Sequence, residues 1–75
     1  MYHLTLCDTN GRMLACLPDA PVLPRFLHMT DDGMCVATDD SEQPVTMEHV
    51  TTFKRVASSV WVDDERDALF VRVMA

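Results

Sequence analysis

Seventy-five residues, 48% apolar and 24% charged, make one small globular domain spanning 1–75 rather than a disordered chain. A chain of this length buries only about 60% of the surface its unfolded form exposes, which leaves it modestly stable and short of room for a deep pocket. Twelve acids against six bases give a net charge of −6, which disfavours direct nucleic-acid binding and favours a protein partner with a basic surface.

No apolar run approaches the roughly 18 residues of a membrane span. The start, Met1-Tyr2-His3-Leu4-Thr5, lacks a basic region followed by a long apolar one. A cytoplasmic protein without membrane contact is expected. Cys7, Cys16 and Cys35 are odd in number and contain no CxxC pair, so reduced thiols are expected rather than a disulfide framework.

Tyr2 to Cys7 alternates apolar and polar residues, Asp8-Thr9-Asn10-Gly11 reads as a turn, and Met13 to Leu17 resumes an extended pattern. Pro18, Pro21 and Pro24 punctuate the following connection and are expected to keep it out of any strand ladder. A second hairpin comes 22 residues after the first: Phe26 to Met29, the turn Asp31-Asp32-Gly33, then Met34 to Thr38. Aligning Gly11 with Gly33 places Asn10 on Asp32, so one turn chemistry is used twice. Two-residue turns would pair Cys7 with Leu14 and Thr5 with Cys16; a type I turn with a bulge at glycine moves such a register by one residue.

Thr46 to Ala57 is the ambiguous stretch. Its β-branched residues favour a strand, but Met47, Val50, Phe53, Val56 and Ala57 fall on one half of a helical wheel. Thr46 as N-cap, Glu48 in the first turn and Lys54 with Arg55 in the last agree with a helix dipole. The periodicity predicts a helix here. Ser59 to Val62 and Leu69 to Val73 then form a third hairpin about Asp64-Glu65-Arg66-Asp67, with Trp61 opposite Phe70. The expected fold class is α+β and β-rich: an antiparallel sheet of three hairpins with one short helix, in the order ββ-ββ-α-ββ. Reading the ambiguous stretch as a strand gives a small all-β barrel instead.

Few residues suggest chemistry. His3, Cys7 and Cys16 share a sheet face and are of the types zinc prefers, but their spacing matches no knuckle geometry, so no metal and no cofactor is expected. His28 and Cys35 lie near each other across the second hairpin without an orienting third group or an oxyanion hole. No serine stands between glycines, and no glycine is spare for a phosphate loop. The chain is therefore read as not an enzyme.

Carboxylates are the most informative feature. Asp31 and Asp32 crowd the second turn, and Asp63, Asp64, Glu65 and Asp67 crowd the third; turns favour Asp for local hydrogen bonds, yet the tips can share one end of the domain. Trp61 and Phe70, with Arg72 beside them, form an aromatic pair of the kind that anchors protein interfaces, or else core. These eight acidic and aromatic residues are the candidate partner-binding set. The expected function is a non-enzymatic interaction module, in its sharper form a small inhibitor that mimics nucleic acid by presenting carboxylates where phosphates would sit. In type, though not in motif, the chain resembles short acidic proteins of phage or mobile elements that block host or defence enzymes. The alternative is a homo-oligomeric structural subunit, a homodimer at its simplest.

Overall fold

A computed structural model describes residues Met1–Met74. Seven strands are present: β1 (Tyr2–Cys7), β2 (Met13–Ala20), β3 (Phe26–Thr30), β4 (Cys35–Thr38), β5 (Val50–Ala57), β6 (Val60–Val62) and β7 (Ala68–Met74). They form one antiparallel sheet in the order β2-β1-β7-β6-β5-β3-β4, and its two edge strands curl toward each other into a nearly closed barrel. Alternation along the strands sends Leu4, Leu6, Leu27, Phe53, Trp61, Leu69 and Val71 inward to one core.

This architecture overturns the ββ-ββ-α-ββ fold: no described residue is helical, and the all-β alternative fits. Val50–Ala57, the last two thirds of the helix expected over Thr46 to Ala57, is β5, seated between β3 and β6 and hydrogen-bonded to both. A helix satisfies only its own backbone. This segment instead completes two ladders that would otherwise end in bare edges, and its β-branched Val50, Thr51, Thr52 and Val56 suit a pleated surface. Its apolar residues divide between the two faces, Phe53 entering the core and Val56 remaining exposed on the other side. Leu27 lies in the core and the adjacent His28 is equally buried on the outside; Met47, in the 39–49 segment that joins β4 to β5, is buried as well.

The three hairpins read from the sequence close with one turn design, and β5 with β6 forms a fourth through the short turn at Ser58-Ser59. Gly11, Gly33 and Arg66 each donate an amide to the carbonyl three residues back, and each has positive φ. The ladders close at Asp8–Arg12, Thr30–Met34 and Asp63–Asp67. This is a type I turn followed by a left-handed residue, so Cys7 pairs with Met13 rather than Leu14; an irregularity between Leu6 and Cys7 then restores Thr5 with Cys16 as read. In the third hairpin Arg66 takes the glycine place, and the ladder moves by one residue: Trp61 faces Leu69 and Val60 faces Phe70. The Trp61–Phe70 pair is thereby undone. Pro18 also differs from expectation, since β2 runs through it, with Pro18 and Asp19 forming an irregularity between the Leu17 and Ala20 pairs.

Candidate functional site

Strand direction collects the acids. β1, β3 and β6 run toward one end of the barrel and the other four run away from it, so the turns at 8–12, 30–34 and 63–67 all lie at that end. Asp31, Asp32, Asp64, Glu65 and Asp67 are exposed there, and Asp63 is half-buried. Asp8 joins them, and Arg12 and Arg66 are the bases in the same turns. The start of β5 lies between the second and third tips. Thr51 lines a groove with Asp63, Asp64 and Glu65, whereas His49 and Glu48 line one with Asp31 and Asp32.

The turn acids are not equivalent. Asp63 Oδ1 accepts the amides of Glu65 and Asp67, each at 2.9 Å, and Asp8 Oδ1 accepts those of Asn10 and Arg12 at the same distance. Both carboxylates hold their turns together. In the second turn Thr30 takes that place: its hydroxyl oxygen accepts the Met34 amide at 3.0 Å, and the hydroxyl donates to Asp32. That hydrogen bond from Thr30, above all, holds the Asp32 carboxyl below the usual carboxylate range. Asp31, Asp64, Glu65 and Asp67 present their charge outward, free of these turn hydrogen bonds.

Trp61 is wholly buried in the core, its Nε1–H donating to the Pro24 carbonyl at 3.2 Å and the Arg55 guanidinium lying 5.6 Å above its ring. Phe70 stands on the opposite face of the sheet, 45% exposed. The aromatic half of the candidate set is thus split, and Trp61 offers no surface to a partner.

His28 is the one buried polar residue among those described. Thr38 donates its hydroxyl proton to the Asp40 carbonyl at 2.5 Å, so its oxygen accepts from His28 Nε2–H at 2.9 Å. His28 Nδ1, left as the lone-pair nitrogen, accepts the Thr52 hydroxyl at 2.9 Å. Both ring nitrogens are satisfied with the imidazole neutral. Burial pushes its pKa below the ordinary 6.5, against the opposing pull of Asp40. Cys35 faces away from it, toward the core, where burial raises the thiol to about 11, so the His28–Cys35 couple is not formed. Sequence reasoning missed the latch of His28, Thr38 and Thr52: the second hairpin sets His28 near Thr38, but Thr52 reaches His28 only because the stretch read as a helix is β5, paired to β3.

His3, Cys7 and Cys16 do share the outer face of the first hairpin, but no group of three metal-ligating residues comes together among the described residues. Cys7, Cys16 and Cys35 are free thiols. No described helix is long and apolar enough to cross a membrane. No protein-family model, curated protein or solved structure matches the chain.

Proposed function

We propose that the chain is a non-enzymatic interaction module whose acidic hairpin end docks on a basic protein surface, in the sharper form a surface that otherwise binds nucleic acid. What supports the reading is the gathering of three carboxylate-bearing turns at one end of the barrel, while Lys54, Arg55 and Arg72 sit on strands. A charge array of this kind steers association and sets specificity more than it adds raw affinity.

The experiment is a binding series against salt. Asp31→Asn, Asp64→Asn, Glu65→Gln and Asp67→Asn together spare the two structural carboxylates Asp8 and Asp63. They should leave the fold intact and slow association with a basic partner strongly at low salt and weakly at high salt. Affinity unchanged at every ionic strength would refute the reading.

A homo-oligomeric subunit is the second reading, favoured by Met13, Phe70 and Met74, which are large, apolar and exposed on the two strands flanking β1. Sedimentation that stays monomeric at high concentration would exclude it.

A further inference from the structure

Seven strands, each antiparallel to its neighbours, leave the two edge strands β2 and β4 running in the same direction. The barrel therefore cannot close by the antiparallel pairing used everywhere else in it, and among the described residues no ladder joins β2 to β4. β2 and β4 nevertheless approach each other, and near the acidic end a Cβ on Gly33, in the turn before β4, would lie 3.7 Å from the Leu14 carbonyl oxygen. Toward the other end residues of both line a cleft of about 410 Å³, within the usual range of ligand sites. Leu17 and Ala20 of β2 and Ala37 of β4 line it, Pro21 and Val22 extend its apolar wall, and Asp19 and Asp39 are its charged residues.

We infer that this open seam takes an extended segment of a protein partner, added as an eighth strand opposite in direction to both edges. One such strand restores antiparallel pairing on both sides, which two parallel edges cannot give each other. Its side chains alternate, so apolar residues enter the cleft and a Lys or Arg between them stands beside Asp19 and Asp39. Pro18 has no amide hydrogen and Thr38 ends β4, so the guest is confined to a few residues. The cleft lies at the end away from the three acidic turns, and each surface can be lost without the other.

The test uses the peptide acetyl-Lys-Val-Lys-Val-Lys-amide and the same peptide N-methylated at both valines, titrated into the isotope-labelled protein and followed by amide NMR. The titrations are run on the wild type and on the four-acid variant of the preceding section. Saturable shifts at Leu17, Asp19, Ala20, Ala37 and Thr38, present in both proteins and about tenfold weaker with the N-methylated peptide, are the expected result. Asp19→Asn with Asp39→Asn should weaken binding several-fold and lessen its salt dependence. Equal binding of the N-methylated peptide, or shifts confined to the acidic turns, would overturn the inference. So would a concentration-dependent dimer that protects the same amides without peptide, since it would assign the seam to a second copy. Loss of the basic partner by the four-acid variant, with peptide binding kept, separates failure at one surface from failure at the other.

Discussion

Arg66 holds in the third hairpin the place Gly33 holds in the second: φ is 65° at Arg66 and 92° at Gly33, and each amide bonds the carbonyl three residues back. A side chain in the left-handed region is strained by about 1–2 kcal/mol, and glycine is not. At both glycines the constraint is conformational, for an added Cβ would meet nothing closer than ordinary contact. Arg66→Gly should therefore stabilise the domain by about 0.5–1 kcal/mol after the entropy glycine adds to the unfolded chain. Gly33→Ala should destabilise it by a similar amount. Denaturant midpoints of the two variants check both signs.

Asp63 differs from its neighbours because its carboxylate closes the turn rather than facing outward. Asp63→Ala should cost about 1 kcal/mol, Asp63→Asn much less since the amide oxygen still accepts, and Asp64→Ala within about 0.5 kcal/mol. Equal effects of the two alanine variants in thermal unfolding would contradict the assignment.

Trp61 and Phe70 should separate sharply. Trp61→Ala empties the centre of the core and removes the tie to Pro24, costing about 3–5 kcal/mol. A chain of this length has roughly 4–11 kcal/mol in total, so the variant should be partly or wholly unfolded. Phe70→Ala, on the outer face, should cost under about 1 kcal/mol. Circular dichroism with urea titration distinguishes them.

His28 makes stability depend on pH. Its folded pKa lies below the unfolded value near 6.5, so below that value the unfolded chain binds more protons than the folded one. The His28 contribution is complete above about pH 6.5 and is lost as pH falls through the folded pKa. His28→Gln keeps a donor and an acceptor but does not titrate. The wild type should lose stability relative to this variant on acidification from pH 7 to 5. A difference that stays constant across that range would show that His28 does not titrate differently on folding.

Cys35 should be chemically silent while folded. A thiol moved from 9.0 to about 11 forms about a hundredfold less thiolate at neutral pH. Alkylation of Cys35, mapped by mass spectrometry, should accelerate by at least that factor on unfolding, whereas exposed Cys16 should react readily in the native state. Equal native rates would mean that the Cys35 side chain is not held against the core.

Hairpin positions were legible along the chain because turn chemistry is local. Asp8 with Gly11 and Thr30 with Gly33 carry both the side-chain acceptor and the left-handed residue within four positions. The acids were legible for the same reason, and their common end follows once the hairpins alternate in direction. The third register was misread because Arg66, which carries no sequence mark of a left-handed conformation, stands where glycine would announce the bulge. Thr46 to Ala57 was beyond any local rule. Its residues fit a helical stripe and a pleated surface alike, and the choice came from two ladders, one with a segment about twenty or more residues before it and one with a segment just after. Whether His28 meets Thr52 as well as Thr38, and whether the hairpins join into one nearly closed barrel, follow from that pairing. Backbone pairing between distant strands is a property of the assembled sheet, in which a shift of one residue turns every side chain to the other face.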